Sequence, residues 1–497
     1  MTCVERAPAE SYDLEKIFNP KRVAIVGVSS NGMGFGSAIL SALIAIGFEG
    51  KMYPVNPKGG EFLGLKIYKE VSEIPDEIDF AIISVPASNV PAALDACRKK
   101  GAAGAEILSA GFRETATPEG IALEEEILEE ARKGIRVIGP NCFGIYCPKS
   151  GLTLLPGPDL SRESGEVAFL SQSGGMAIDF GQIGTWMGVR FSKVVSFGNG
   201  VDLRECELLD YFGDDPETSV IAMYVEGVEK GSNFFSVLRE VAEKKPVIVY
   251  KGGLSDAGSK AVKSHTASMG GSERIWKAVL RQCNAVQVHG LEEMAEASLT
   301  FSLVPPRSYE GISVVGGGGA LGVAACDVAE TYGLKLPVLE EKISDRIMSI
   351  LPKPGSSAFN PVDVANPLVS PQILKDTLLF AAEDDKIDLQ ILIQLLYHYK
   401  SLAMALGAAS VKDVTPYREL ADSVEEVVDK TGKPVIIVLP NNKRELQSMD
   451  LEEMIRDARD IFLKKKIPVF DDLFDALRAV HHVSKYYAIK QRRWKEL

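Results

Sequence analysis

Three times along the chain a run of β-branched and apolar residues stops at a glycine-rich turn and gives way to a helix-forming segment. The openings are Arg22-Val-Ala-Ile-Val-Gly27 before Val-Ser-Ser-Asn-Gly-Met-Gly-Phe-Gly36, Glu166-Val-Ala-Phe-Leu170 before Ser-Gln-Ser-Gly-Gly-Met176, and Ile312-Ser-Val-Val315 before Gly-Gly-Gly-Gly-Ala-Leu-Gly322. Buried strand, tight turn and helix form the anion-facing start of an open α/β unit, because the first N–H groups of the helix have no partner in the helix itself. Three such starts predict an α/β chain of three units, which is also what 497 residues suggest. Two Gly/Pro/Ser-rich linkers, Cys147 to Gly165 and Val304-Pro-Pro-Arg-Ser-Tyr-Glu-Gly311, separate them. The expected domains are residues 11–148, 165–302 and 311–485, followed by a basic tail at 486–497.

The first unit constrains its own ligand. A NAD site needs an acid at the end of the second strand to take the ribose hydroxyls. Here Met52-Tyr-Pro-Val55 runs into Asn56-Pro-Lys58, and a lysine at that point favours a ligand with an additional phosphate, either NADP or coenzyme A. Later strands end in small residues as well: Phe80 to Pro86, Ala105 to Leu108 before Ser109-Ala-Gly-Phe112, and Val137-Ile-Gly-Pro-Asn-Cys-Phe-Gly144. Ligand-binding edges of open sheets end this way, although tight turns alone would give the same pattern.

The second unit carries an unusual loop. Strand Val247 to Tyr250 is followed by a stretch of Gly, Ala, Ser, Thr and Lys in which His265 is the one side chain able to act as nucleophile or base near neutral pH. Ser264, Thr266, Ala267 and Ser268 are small, and Gly270 and Gly271 can absorb large backbone changes, so the loop is built to swing. A solvated surface loop with an incidental histidine is the plain alternative. Glu226 follows the neighbouring strand, Ser219 to Val225, where a carboxylate can hold the second N–H of an imidazole; an ordinary surface acid reads the same way. Two glycine-rich helix N-termini, at Ser173-Gly174 and Gly318-Gly319, suit a phosphoryl group carried on His265, since each brings about half a positive charge. A metal role for His265 lacks partners, no G-x-S-x-G elbow is present, and Thr431-Gly-Lys-Pro434 is not a Walker A loop.

Composition narrows the setting. A net charge of −13 speaks against nucleic-acid binding, with Lys490 to Lys495 the one basic cluster, read as a solvated helix end. The N-terminal residues have no apolar signal core, and Ser37 to Phe48 is too short to span a bilayer, so a cytoplasmic protein with no membrane role is expected. Seven cysteines without a C-x-x-C pair fit reduced thiols better than disulfides or a zinc site.

Taken together, Gly27-Val-Ser-Ser30, Tyr53-Pro-Val-Asn-Pro-Lys58, Val85-Pro-Ala87, Ser109-Ala-Gly-Phe112, Ile138-Gly-Pro-Asn-Cys142, Ser171-Gln-Ser-Gly174, Ser264-His-Thr266 and Asn360-Pro-Val-Asp363, the last read as a turn, make the chain resemble the nucleoside-diphosphate-forming acyl-CoA synthetases. That family includes succinyl-CoA synthetase and the ADP-forming acetate-CoA ligases, and the order of units is similar to the alpha subunit of the latter. The resemblance implies a Rossmann-like CoA-binding domain followed by two flavodoxin-like ligase domains. It implies that Gly27, Ser29, Ser30, Lys58, Pro86, Ser109 and Ala110 line the CoA site with Cys142 near the thiol end. It also implies that His265 is phosphorylated, that Glu226 orients it and that Ser173 and Gly174 cap the phosphate. Acyl-CoA, phosphate and ADP would then give acid, ATP and CoA through an acyl phosphate and a phosphohistidine. No stretch reads as the ATP-grasp module that holds Mg-ADP or Mg-ATP, which implies a separate beta subunit in an α2β2 assembly. Ile178 stands where succinyl-CoA synthetase tends to have tyrosine, favouring a small monocarboxylate. Two other classes are a CoA-binding sensor or scaffold without turnover and an NADP-linked oxidoreductase, the latter disfavoured by three openings without a dinucleotide acid.

Overall fold

In the computed structural model the described residues are 14–154, 160–255, 257, 258, 260 and 272–496. The chain packs as two units, Met1–Ala295 and Glu296–Leu497. The first two glycine-rich openings lie in the first unit, and the third lies in the second.

The first sheet is built from β1 (Arg22–Val26), β2 (Lys51–Val55), β5 (Phe80–Ile83), β6 (Gly104–Ile107) and β7 (Arg136–Ile138), all parallel. A two-stranded hairpin, β3 (Gly60–Phe62) and β4 (Leu65–Ile67), interrupts the crossover after β2. The second sheet holds β9 (Val167–Ser171), β10 (Phe191–Ser196), β11 (Val220–Val225), β12 (Val247–Lys251) and β13 (Val286–Val288), with β8 (Gly144–Tyr146) antiparallel on the β10 edge. In the second unit the sheet holds β14 (Ile312–Gly316), β15 (Val362–Asp363), β16 (Leu389–Ile393), β17 (Val435–Val438) and β18 (Val469–Phe470).

The strand orders are β2-β1-β5-β6-β7, β10-β9-β11-β12-β13 and β15-β14-β16-β17-β18. Numbered by appearance among the parallel strands, each reads 2-1-3-4-5, the flavodoxin-like doubly wound order, which reverses beside the first strand. The repetition visible in the sequence is therefore a repetition of topology. Val23, Ala24 and Ile25 of β1 are all fully buried, as are Ile221, Ala222 and Met223 of β11, so the strands lack polar alternation because helices cover both faces.

The motif Asn360-Pro-Val-Asp363, expected to be a turn, contributes edge strand β15 instead. Buried Asn360 makes this possible: its amide donates to the carbonyls of Ile312 (2.7 Å) and Pro337 (3.1 Å) and accepts from Val314 N–H (3.0 Å), saturating backbone that the short strand leaves unpaired. Residues 486–496 continue the helix Leu473–Glu496; Tyr486 is buried and half-buried Lys490 lies 5.7 Å from the centre of its ring.

One apolar cluster runs through the first unit from Ile25 and Phe80 of the first sheet to Ile221 and Val249 of the second, so the two sheets share a core. Where the chain turns out of β1, backbone meets backbone. A Cβ on Gly36, in the first turn of helix Phe35–Ile46, would lie 2.6 Å from the carbonyl carbon and oxygen of Gly27. Gly36→Ala is expected to cost at least about 2 kcal/mol of stability, read as a lower midpoint in urea with unchanged slope.

Candidate active site

In a parallel sheet all strands end on the same edge, and the residues expected to hold CoA collect there. Gly27, Ser29 and Ser30 follow β1, Lys58 follows β2, Pro86 follows β5, and Ser109 and Ala110 follow β6. The order reverses between β1 and β5, the crevice where open sheets bind ligands. Gly27 has φ +111°, and a Cβ there would lie 2.0 Å from the Ser84 carbonyl oxygen, so only glycine lets these strand ends approach. Ser29 donates through Oγ to Asn31 Oδ1 (2.7 Å), and its N–H is held by Ser37 Oγ (2.9 Å). Ser30, Lys58, Pro86 and Ala110 are exposed, and Ser109 Oγ donates to the Val85 carbonyl (2.6 Å). The β3–β4 hairpin folds against the same turn: a Cβ on Gly60 would lie 3.2 Å from Ser30 Cβ, and one on Gly32 would lie 3.0 Å from the Phe62 ring. These groups fit a phosphorylated ligand, with the exposed Ser30 hydroxyl, one exposed lysine and a glycine cradle, and no carboxylate among them.

Cys142 does not belong with them. It is buried, and its thiol donates to the Ile107 carbonyl (3.3 Å). Burial and the nearby Glu106 both raise its pKa, so it is a packing group turned into the core and not a residue at a thiol-binding surface.

The second sheet gathers a polar row at the ends of three neighbouring strands. Ser171, the last residue of β9, pairs with Tyr224 of β11, which pairs with Tyr250 of β12, so Gln172 and Lys251 flank Val225, and Glu226 and Gly252 follow one residue further on. Ser173 caps helix Gly174–Met187 by accepting from Met176 N–H (3.4 Å) and is itself held by Ser171. The N–H groups of Gly174 and Gly175 have no partner among the described residues, and a Cβ on Gly175 would meet only Ser173 Oγ, at 3.9 Å. That leaves an anion-competent helix end.

Glu226 is buried. Tyr224 donates its hydroxyl to Glu226 Oε1 (3.2 Å), and burial followed by the carboxylate raises the phenol's pKa, so the phenol keeps its proton. Glu226 Oε2 has no hydrogen-bond partner among the described residues, an uncommon state for a buried carboxylate oxygen. Gln172 Oε1 accepts from the N–H groups of Glu226 (2.8 Å) and Gly227 (3.1 Å). From the other side, buried Lys251 donates through Nζ to the Glu226 carbonyl (2.8 Å) and to the Gly252 carbonyl. Burial pushes the Lys251 pKa down to about 8, against the attraction of Glu226. The sequence reading missed Gln172 and Lys251. A polar residue directly after one buried strand and a lysine closing another were the available signals.

Beside Gln172 and Gly227 opens a cavity of about 500 Å³, lined also by Arg113, Glu114, Asn199 and Arg204. Asn199 donates to both Glu114 Oε2 (2.6 Å) and Glu124 Oε2 (2.9 Å), and Arg113 pairs with Glu124 (2.7 Å). Burial would raise the pKa of Glu114, but Asn199 and the N–H groups of Gly111 and Phe112 outweigh it and hold the carboxyl below its usual range. Glu125 and Glu229 line the cavity too, and both of its guanidinium groups are already paired, Arg113 with Glu124 and Arg204 with Glu205 (3.3 Å) and Glu229 (3.6 Å).

In the second unit Gly318, with φ +114°, precedes helix Gly319–Thr331, on a cavity of about 250 Å³. Its N–H donates to Asp363 Oδ1 (3.2 Å), which also accepts from Ala365 N–H (2.8 Å). A carboxylate already meets this helix end, so a phosphate at Gly318 and Gly319 would need Asp363 to leave or take up a proton. His265, the centre of the sequence reading, lies outside the described residues; β12 and its Lys251 lead toward it. Among the described residues, no cluster of His, Cys, Asp or Glu could hold a metal ion and no helix is long and apolar enough to cross a membrane.

Fold and site together define a protein of doubly wound α/β units whose strand ends gather polar and glycine-rich turns on one edge of each sheet. Residues 21–148 match the family described as CoA binding domain, and residues 164–301 the succinyl-CoA ligase like flavodoxin domain. The chain is 34% identical over 480 residues to the alpha subunit of acetate–CoA ligase [ADP-forming] I of Pyrococcus furiosus, covering 95% of this chain and 97% of that one. It is 32% identical to acetate–CoA ligase [ADP-forming] I of Archaeoglobus fulgidus, covering 96% of this chain but 64% of that longer protein. Its fold is similar to that of the dinucleotide forming acetyl-coenzyme A synthetase 1 of Ca. Korarchaeum cryptofilum in complex with phosphate and ADP, with a TM-score of 0.81, 30% identity and coverage of 98% and 99%. The chain belongs to the ADP-forming acetate–CoA ligase family, as a ligase of the alpha-subunit type.

Asn199→Asp is expected to place a third carboxylate between Glu114 and Glu124 and to cost at least about 2 kcal/mol at pH 7. A carboxyl crowded by like charges has a raised folded pKa, so the loss should shrink as pH falls from 7 to 5. The wild type, whose Glu114 has a depressed pKa, should keep that contribution from pH 7 to 5 and lose it only on further descent through the ordinary carboxylate value of 4.5. Urea unfolding at pH 7, at pH 5 and below pH 4.5 reads both.

Proposed function

We propose that the chain binds coenzyme A on the edge of its first sheet and turns over an acyl-CoA with phosphate and ADP to yield the acid, CoA and ATP, with His265 carrying the phosphoryl group. The observation that carries this reading is the free, buried Oε2 of Glu226, an unfilled acceptor beside the strand that leads to His265. A neutral imidazole has one N–H to give and one nitrogen to attack with, and a carboxylate that takes the N–H selects the attacking tautomer.

Three displacements balance the reaction. A phosphate oxygen attacks the thioester carbonyl, expelling the CoA thiolate and leaving an acyl phosphate. The free nitrogen of His265 attacks phosphorus and releases the carboxylate, while Glu226 shares the charge that forms on the ring. A terminal phosphate oxygen of ADP then takes the phosphoryl group and restores neutral His265. CoA, when bound, supplies the thiol; Gly27, Ser29, Ser30, Lys58, Pro86, Ser109 and Ala110 hold its nucleotide part. The acyl end and the attacking phosphate occupy the cavity bordered by Arg113 and Arg204, where an incoming anion exchanges places with the carboxylates that now pair them. Ser173, Gly174 and Gly175 receive the transferred phosphate; Gly318 and Gly319 are the weaker candidates because of Asp363.

The nucleotide, with Mg²⁺, is assigned mainly to a beta subunit of ATP-grasp type in an α2β2 assembly, in keeping with the greater length of the Archaeoglobus relative. Acetate or another small monocarboxylate is the acid proposed, and the cytoplasm the compartment.

The deciding experiment is transfer of labelled phosphate from Mg-ATP to the chain co-expressed with its nucleotide-binding partner. Acid-labile, base-stable label should appear on wild type and be absent from His265→Ala; unlabelled wild type that still binds CoA overturns the reading in favour of a CoA-binding protein without turnover. Glu226→Gln should slow phosphoryl transfer about 100-fold with CoA affinity unchanged. Lys58→Ala should weaken CoA about tenfold and dephospho-CoA hardly at all, measured by calorimetry.

A further inference from the structure

The Glu226 peptide is gripped on both sides by side chains from neighbouring strands. Gln172, after β9, accepts from its N–H and from that of Gly227, while Lys251, the last residue of β12, donates to its carbonyl and to that of Gly252. Both are buried. An uncharged residue at position 251 would fill the space without the cost of taking an ammonium out of water, so packing alone does not explain it. Gly252 adds to the grip: a Cβ there would lie 2.5 Å from the Tyr224 hydroxyl, the group that holds Glu226 Oε1.

We infer that Gln172 and Lys251 are positioning residues of the ligase reaction, a two-sided backbone clamp that fixes the Glu226 carboxylate and ties its strand end to the base of the His265 loop. The inference rests on the role proposed for Glu226. Glu226 must hold its place, because an acceptor displaced by an ångström no longer selects the imidazole tautomer. Gln172 further joins the clamp to Ser173, so the acceptor and the helix end offered to the phosphate are held by adjacent residues.

The clamp has a characteristic pH response. Around Lys251 stand Glu226, which follows β11, Tyr224 of β11, Tyr250 of its own strand and Trp276 of helix Glu273–Cys283, whose ring centre is 5.1 Å from Nζ. His289, which follows β13, interacts with Glu273 on that helix, and Glu226 is the charged group whose field acts on Lys251. Loss of the proton leaves an amine with one donor fewer and no charge for the carbonyls. Because burial lowers the Lys251 pKa below its unfolded value, this loss relieves the fold, so a rate that falls near pH 8 and above is not a sign of unfolding.

The test is the pH profile of ADP-forming turnover by the assembled enzyme, alongside amide exchange of the peptide spanning Glu226 and Gly227 in the chain alone. Wild type should show an alkaline limb near pH 8 with no drop in melting temperature. Lys251→Met should lower kcat 10- to 100-fold and abolish the limb; Lys251→Arg should keep turnover within about threefold and move the limb up by at least about one pH unit. Gln172→Ala should speed exchange at Glu226 and Gly227 at least about tenfold and lower kcat with KM for CoA unchanged. Wild type without the limb, a Lys251→Met enzyme that keeps it, or unchanged exchange in Gln172→Ala overturns the inference. Should Lys251→Met fail to fold, the Lys251→Arg shift and the Gln172→Ala exchange decide. His265→Ala, run for label in the same preparations, separates the two readings: a Lys251-dependent limb without histidine label removes the phosphohistidine and leaves the clamp, whereas histidine label with a limb indifferent to Lys251 does the reverse.

Discussion

Parallel pairing is the constraint on which the rest depends. A strand joined to a parallel neighbour must return through a crossover to the same end, so all C-terminal ends gather on one edge, whatever lies between them in sequence. In this protein that edge receives Gly27, Lys58 and Ser109 in the first sheet and Gln172, Glu226 and Lys251 in the second. Sequence separations of 54 positions from Gln172 to Glu226 and 25 from Glu226 to Lys251 vanish in a single set of hydrogen bonds.

Burial then decides what such a row can do. In water, a glutamate, a lysine, a glutamine and a tyrosine side by side would each be satisfied by solvent and carry no specificity. Behind helices that cover both faces, each must find a partner in the protein, and those partnerships set direction and charge. Lys251 is satisfied by carbonyl oxygens, which leaves the Glu226 carboxylate with one filled and one open oxygen. Asp363 is the opposite case, a carboxylate whose bonds to Gly318 and Ala365 fill the helix end it faces. Two glycine-rich helix starts with nearly the same sequence pattern therefore differ in what they offer an anion.

Three successive 2-1-3-4-5 sheets in one chain show how one local pattern serves different ends. The pattern supplies a tight turn and a helix start; what surrounds the turn supplies the chemistry. The first carries Ser29 and Ser30 and faces Lys58, the second carries the Ser173 cap beside Glu226, and the third faces Asp363.

Much of this was legible without coordinates. Glycine turns after β-branched runs specify strand-turn-helix units locally, because only glycine tolerates positions such as Gly27, and the lack of alternation along Val23 to Ile25 or Ile221 to Met223 specifies strands buried on both faces. Short edge elements were not legible: β15 and β8 contain two and three residues, pair with partners far away in sequence and have no periodicity of their own. Side-chain roles divided the same way. That Lys58 and Glu226 end strands follows from sequence alone, since residue type and strand end are local properties. That Cys142 turns into the core, that Asp363 closes a helix end, and that Gln172 and Lys251 hold one peptide from two sides was decided by the tertiary structure, because direction and partnership depend on groups that meet only when the sheets have formed.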